Sequence, residues 1–366
     1  MISGDEDERH MRHALRLARR SLGRVAPNPA VGCVILSKDG VVAGRGWTAP
    51  GGRPHAETIA LQQAGTKAEG GTAYVTLEPC AHYGVTPPCA TALIAAGIAR
   101  VVGAAADPDP RVNGKGYSML RDAGILVLEH ICEAEARALN AGFFSRIEKG
   151  RPLIALKGAE SADGFVAGTG SERWITSDLA RRHGHLLRAK FDAILVGIET
   201  VLADDPLLTC RLEGLTDRTP VRIVLDSHLR LPLQSQLARS ATQSPVLVFT
   251  LVEKGGDALT EAGVHIFRVA ADKDGHADIG AVLALLVGRG ITRLLVEGGP
   301  TVHQAFISAG LVDWVYRYRA PHELGRGVAS VLTPLLASAG AAGAKVEAPE
   351  TIAFGPDLLE SYKVKV

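Results

Sequence analysis

Thr72-Ala73-Tyr74-Val75-Thr76-Leu77-Glu78-Pro79-Cys80 reads as an apolar strand that delivers a glutamate, a proline and a cysteine at its carboxyl end. Two flanking strings give that ending its meaning. His55-Ala56-Glu57 stands upstream, and a second pair, Pro88-Cys89, follows downstream. One imidazole and two thiolates can hold Zn²⁺ with three protein ligands and leave the fourth tetrahedral position to water. Such water loses its proton near neutral pH and becomes a nucleophile. Glu57, two residues from the ligating His55, can then carry that proton to a departing amine, as in the hydrolytic removal of ring amino groups. Only three ligands are evident, which disfavours a closed structural zinc site.

Working outward, Asp5 to Leu22 is predicted as an amphipathic helix with Met11, Leu15 and Ala18 on one face. Val31–Leu36 and a run from Val41, joined by Lys38-Asp39-Gly40, form a hairpin. Pro54 to Ala64 is a helix that places His55 and Glu57 at its start. After the Thr72–Leu77 strand come helix Cys89 to Gly97, strand Arg100–Ala105, helix Gly116–Gly124, strand Ile125–Leu128 and helix Cys132 to Lys149. Gly150-Arg151-Pro152 is a stop and linker, so one domain covers residues 1–149 and a second 151–366. Its strands are Pro152–Leu156, Ala193–Val196, Val221–Leu225, Pro245–Thr250, Val264–Val269, Arg293–Glu297 and Val312–Tyr318. Its helices are Thr176–Ala189, Ile279–Gly288 and Thr301–Ala309, and Ala337–Ala344 reads as a mobile loop. The expected class is α/β, with largely parallel sheets covered on both faces and ligands gathered at strand ends.

Composition narrows the partners. Hydrophobic residues make up 46% and charged residues 22%, which fits a globular protein. The net charge is +1 with both signs interspersed, so no broad cationic surface is available for nucleic acid. No apolar run approaches the ~20 residues of a membrane span, and the charged N-terminus has no signal-peptide core. The five cysteines suit a reducing cytoplasm better than a disulfide framework, with Cys33, Cys132 and Cys210 as small buried hydrophobes. Asn28, His82 and the rest of the loop Ala81-His82-Tyr83-Gly84 are candidates for holding a heterocycle edge. In the second half, Glu297-Gly298-Gly299-Pro300-Thr301 runs from strand to helix and offers free N–H groups to a nucleotide phosphate.

Pro27-Asn28-Pro29-Ala30-Val31-Gly32, His55-Ala56-Glu57, Thr76-Leu77-Glu78-Pro79-Cys80, Thr86-Pro87-Pro88-Cys89 and Asp107-Pro108-Asp109-Pro110 together resemble the deaminase domain of the bifunctional riboflavin-biosynthesis deaminase/reductase family. The long Cys80–Cys89 spacing is similar to this family rather than to nucleic-acid deaminases. Ser161-Ala162-Asp163-Gly164, Trp174-Ile175-Thr176, His185-Leu186-Leu187-Arg188-Ala189, Asp192-Ala193-Ile194-Leu195-Val196-Gly197, the stretch Thr200 to Thr209 and Val224-Leu225-Asp226-Ser227 resemble its reductase domain. The resemblance implies a cytidine-deaminase-like three-layer domain followed by a dihydrofolate-reductase-like domain. It implies zinc-dependent deamination of a diaminopyrimidinone ribosylamino phosphate, then reduction of the ribosyl unit by NADPH.

By the same resemblance His55, Cys80 and Cys89 hold zinc and Glu57 is catalytic. Ala159, Trp174, Thr200, Asp204, Ser227, Gly299, Pro300 and Thr301 touch NADPH. Arg188, Leu208, Arg211 and Glu297 in the second domain hold substrate, with the arginines as phosphate clamps; from their own chemistry Asn28 and His82 stay candidates in the first domain, and Ser171 is the candidate to replace the Ser that Glu172 displaces. A homodimer through the reductase domain is also implied. Three positions depart from the family pattern: Val85 and Phe165 replace basic residues, and Glu172 replaces Ser. Phe165 and Glu172 leave open a deaminase whose second domain is a degenerate structural module.

Overall fold

The computed structural model describes residues 4–83, 87–168, 174–338 and 345–365. The chain divides after Arg151 into two units, Met1–Arg151 and Pro152–Val366.

The first unit begins with α1 (Gly4–Ala18), β1 (Gly32–Leu36), β2 (Val42–Trp47), α2 (Ala56–Ala64) and β3 (Thr72–Leu77). It continues with α3 (Cys89–Ala95), β4 (Arg100–Ala105), α4 (Lys115–Asp122), β5 (Leu126–Leu128), α5 (Glu133–Leu139) and α6 (Ala141–Glu148). The strands form one sheet in the order β2-β1-β3-β4-β5. β1 runs antiparallel to both β2 and β3, while β3–β4 and β4–β5 are parallel. The sheet is therefore mixed rather than largely parallel, because a short hairpin turn can join only antiparallel strands.

Helix α1 buries Met11, Ala14, Leu15 and Ala18 against this sheet. Its buried Asp7 accepts from both guanidinium N–H₂ groups of Arg100, at 2.9 and 2.6 Å, and from Tyr74 Oη at 2.8 Å. That network ties the helix start to β3 and β4. Helix α2 starts at Ala56, not Pro54, since His55 is in extended backbone as the residue before the first turn.

The long helix expected over Cys132 to Lys149 is two helices, broken at Asn140. The buried Asn140 side chain accepts from Ala30 N at 2.8 Å and donates to Ala30 O at 3.0 Å. It spends the helix junction on a clamp for the segment that carries Asn28.

The second unit opens with β6 (Leu153–Glu160), β7 (Phe165–Gly168), α7 (Asp178–Arg188), β8 (Ala193–Gly197), α8 (Ile198–Asp204) and β9 (Val221–Leu225). Then come α9 (Gln236–Arg239), β10 (Val246–Thr250), α10 (Asp257–Glu261), β11 (His265–Arg268), α11 (Ile279–Gly288), β12 (Arg293–Val296) and α12 (Pro300–Ser308). It closes with β13 (Trp314–Arg319), β14 (Gly327–Ala329), α13 (Leu332–Ser338), β15 (Lys345–Val346), β16 (Glu350–Phe354) and β17 (Asp357–Lys365). The main sheet runs β11-β10-β9-β8-β12-β6-β13-β17-β15, with β16 on β17. All pairings from β11 to β13 are parallel, as expected. The antiparallel strands β16 and β17 were not legible, because β16 is exposed along nearly its whole length and shows no alternation. Helix α8 has seven residues, too few to show a period. Of the stretch Ala337–Ala344, Ala337 and Ser338 belong to α13, and 339–344 lie outside the described residues.

Gly44 and Gly46 on β2 decide how α2 sits. A Cβ on Gly46 would fall 2.0 Å from the Ala56 carbonyl oxygen, and one on Gly44 2.1 Å from that of Ala60. The helix backbone thus rests directly on the strand backbone. Gly46→Ala is expected to displace α2 and destabilise the first unit by about 1–3 kcal/mol. Thermal melting and ammonia release check this, with deamination falling and reduction retained.

Candidate active sites

Three elements meet in the first unit. His55 precedes α2, Cys80 follows β3 and Cys89 is the first residue of α3. Their ligand atoms all lie within 4.8 Å of one another. His55 Nδ1 is 3.3 Å from Cys89 Sγ and 3.7 Å from Cys80 Sγ. A tetrahedral Zn²⁺, about 2.3 Å from sulfur and about 2.0–2.1 Å from nitrogen, needs N···S separations of roughly 3.5 Å. The two distances straddle that value, so the donor set fits the ion.

The backbone prepares the sulfurs. Cys89 N–H donates to Cys80 Sγ at 3.2 Å, and Ala90 N–H to the Cys80 carbonyl at 3.2 Å. A hydrogen bond from the Cys89 thiol, with others from His55 and the Cys89 backbone, brings the Cys80 thiol down to about 4. The same contact with Cys80, reinforced by burial, pushes the Cys89 thiol up. Without a cation, two adjacent thiolates cannot coexist in so little water.

Glu57 is the second residue of α2, in its first turn, and is 4% exposed. Burial, then repulsion from Cys80, pushes its carboxyl up to about 7. That places its proton affinity where a group that both takes and returns a proton works best. Glu78, just before Pro79-Cys80, has a structural task. Its carboxylate accepts from Gly114 N and Gly116 N at 2.9 Å each, and from Asp107 N at 3.3 Å. It caps α4 and fixes the Asp107–Gly116 loop beside Cys80.

Asn28 and His82 line the same cavity as His55, Cys80 and Glu57. Gly52, at φ +86°, leaves room for Asn28: a Cβ there would fall 1.8 Å from Asn28 Nδ2. Among the described residues the buried Nδ1 of His82 has no hydrogen-bond partner. Asp107, Arg53 and Arg111 also line the cavity and were not singled out by sequence reasoning. Burial pushes the Asp107 carboxyl up to about 6. Its position in Asp107-Pro108-Asp109-Pro110 was the available signal. Val85 lies outside the described residues.

In the second unit the candidates line the carboxyl ends of adjacent parallel strands. Ser227 follows β9, Thr200 and Asp204 sit on α8 after β8, Gly299–Thr301 open α12 after β12, and Ala159 is near the end of β6. Ser227 Oγ accepts from Ala277 N at 3.2 Å. Trp174 is exposed, with Arg181 over its ring at 4.9 Å. Ser171 and Glu172 lie outside the described residues, and Phe165 begins β7.

Arg188 and Glu297 converge, but not as separate contacts, while Leu208 is buried in an apolar cluster with Ile194 and Val224. Arg188 donates from Nε and Nη2 to the two Glu297 oxygens at 2.9 Å each, and from Nη1 to the Thr209 carbonyl at 3.1 Å. The two-pronged edge of Arg188 thus meets a protein carboxylate rather than standing open to phosphate. Burial alone would raise the Glu297 carboxyl, but Arg188 and then Lys157 overcome it and hold it at about 2. Lys157 Nζ is 3.7 Å from Glu297. His185, bonded to the Thr209 carbonyl at 3.1 Å, is driven down to about 4 by burial and by Arg188 and Arg211. Arg211 is exposed.

Residues 5–105 match the cytidine and deoxycytidylate deaminase zinc-binding region, and residues 152–359 match the RibD C-terminal domain. The riboflavin biosynthesis protein RibD of Aquifex aeolicus is 43% identical over 324 residues, 88% of this chain and 89% of that protein. The chain belongs to the RibD family. RibD of Escherichia coli is likewise 43% identical over 340 residues, covering 90% of this chain and 91% of its own length. Among solved structures, Acinetobacter baumannii RibD superposes with a TM-score of 0.87 at 36% identity and full coverage of both chains. A diaminohydroxyphosphoribosylaminopyrimidine deaminase/5-amino-6-(5-phosphoribosylamino)uracil reductase from Thermotoga maritima gives 0.85 at 34% identity, covering 98% of each chain. A zinc-binding deaminase domain and an NADPH-dependent RibD reductase domain thus share this chain, and the deaminase-only alternative gives way.

Two expectations follow. Zinc binding to metal-free protein near pH 7 releases between about one and two protons per ion, because Cys89 and part of the His55 population must deprotonate while Cys80 is already a thiolate. Calorimetry in buffers of different ionisation enthalpy measures this, and affinity weakens as pH falls. For Glu297 the folded-state pKa is depressed, so its stabilisation is complete above the ordinary value of 4.5 and is lost as pH falls toward about 2. In melts between pH 6 and pH 3, Glu297→Gln flattens the acid loss of the second unit and lowers its melting temperature at pH 6, since Arg188 is left buried and unpaired.

Proposed function

We propose that residues 1–149 deaminate 2,5-diamino-6-(ribosylamino)pyrimidin-4-one 5'-phosphate and that residues 151–366 then reduce its ribosyl unit to ribityl phosphate. The carrying observation is the convergence of His55, Cys80 and Cys89 with a buried Glu57, in a chain of the RibD family.

His55, Cys80 and Cys89 hold the zinc. When bound, zinc acts as a Lewis acid that makes water nucleophilic near neutral pH. Glu57 accepts a proton from the attacking water and hands it to the leaving amine. Asn28 and His82 hold the ring edge from the opposite wall, where the unpartnered His82 Nδ1 offers a hydrogen bond.

In the second half NADPH supplies hydride when bound. Ala159, Trp174, Thr200, Asp204, Ser227 and Gly299–Thr301 receive the cofactor along the strand ends, with the α12 N-terminus toward its phosphates. The Arg188–Glu297 pair, Leu208 and Arg211 hold the substrate, and Ser171 is assigned the same task. Arg211, which is exposed, meets the phosphate. The chain acts on small pyrimidine ribose phosphates in the cytoplasm, as a homodimer through the reductase half. Among the described residues no helix is long and apolar enough to cross a membrane.

Purified protein is given the substrate, and ammonia and NADPH absorbance are followed. Glu57→Gln lowers ammonia release by about 10²-fold or more with zinc content unchanged. Arg211→Ala raises the reductase KM by about tenfold and spares deamination. Full ammonia release by Glu57→Gln sinks the proton-shuttle role.

A further inference from the structure

Arg222 is fully buried, in β9, and pairs with no carboxylate among the described residues. Its guanidinium is surrounded by neutral oxygens. Nη1 donates to the Leu207 carbonyl at 3.2 Å and to Ser240 Oγ at 2.7 Å; Nη2 donates to the Ser240 carbonyl at 3.0 Å and to that of Ser244. Among the described residues Nε has no hydrogen-bond partner. Burial brings its pKa down to about 10. A buried cation without a counter-charge is expensive, so an apolar residue would serve a purely structural core position better.

The segment it grips is strained. Asp205 and Leu208 both hold left-handed backbone, at φ +41° and +55°, which side-chain-bearing residues avoid. Leu208 is 3% exposed and cannot relax outward. Asp205 is fixed from the same side, accepting from Gln236 N at 2.8 Å. Directly after this turn comes Thr209, whose carbonyl receives both Arg188 and His185.

We propose that Arg222 is a positioning residue of the reductase half: by holding the Leu207 carbonyl it fixes the left-handed turn that presents the Thr209 carbonyl to Arg188 and His185. The orientation of the Arg188–Glu297 pair toward substrate then depends on a side chain that never touches it. This rests on the substrate-binding assignment of that pair.

The test uses the full-length protein with Arg222→Lys. Lysine keeps the charge but, as a single point donor, cannot span Leu207 and Ser240. Reductase kcat/KM is expected to fall at least about tenfold through misplacement of the pair, while ammonia release and NADPH affinity stay within about twofold. Ser240→Ala removes one acceptor of Arg222 Nη1 at a residue placed in neither binding site, and is expected to lower reductase kcat/KM by about threefold in the same direction. If Arg222→Lys does not fold, Ser240→Ala carries the test, and an unchanged kcat/KM counts against the proposal.

A crystal structure of Arg222→Lys reads the geometry without any activity. Leu208 leaves the left-handed region, or the Arg188–Thr209 contact opens beyond hydrogen-bonding distance. Retention of both contacts overturns the proposal. If the parent protein itself reduces nothing, the functional assignment fails instead, and the crystal geometry alone decides the role of Arg222.

Discussion

Three donors carried by different elements must meet within the span of one tetrahedral ion, and the first unit is organised around that constraint. Cys80 arrives at the end of a parallel strand, Cys89 at the first turn of a helix, and His55 in the extended residue before another. None of these places can shift without opening the triad. Gly44 and Gly46 let α2 rest on the β2 backbone, and so set where His55 and Glu57 stand. Glu78, one residue before Pro79, ties the strand end to α4 through backbone N–H groups. The metal site is thus held from behind by tight backbone packing and a buried cap, not by its ligands alone.

The second unit meets a different problem, the burial of charge beside a binding site. Arg188 and Glu297 resolve it by pairing along both prongs, with Lys157 as a further cation near the carboxylate. Their mutual attraction outweighs the burial that would otherwise neutralise Glu297. Strand ends β9, β8, β12 and β6 lie side by side, so residues far apart in sequence share one edge. The pair sits at that edge, already oriented before any ligand arrives. Such preorganisation keeps the polar groups from having to reorganise when substrate binds.

Much of this was legible without coordinates where local chemistry is unambiguous. A metal-ligand trio has few competing explanations, and Pro before a helix start or after a strand marks the geometry of its neighbours. Ile279–Gly288 and Val221–Leu225 fall where periodicity put them. Elements whose signal is weak were missed: the exposed strand β16 and the seven-residue helix α8. Asn140 was read as helix interior because nothing local reveals that its amide serves Ala30, 110 residues away. Arg188 was read as an open clamp because its partner Glu297 is 109 residues distant.

The amino-acid sequence by itself determined which side chains are candidates to bind metal and to move a proton, since donor type and short-range spacing are properties of the chain. It also determined an alternation of strands and helices in two halves, since apolar period follows from backbone geometry. Only the tertiary structure decided the hairpin's antiparallel place beside β3, the division of labour between Glu57 and Glu78, and the pairing of Arg188 with Glu297. Those outcomes depend on which backbone N–H groups and charges are left facing one another once water is excluded, and that is settled by packing across long sequence separations.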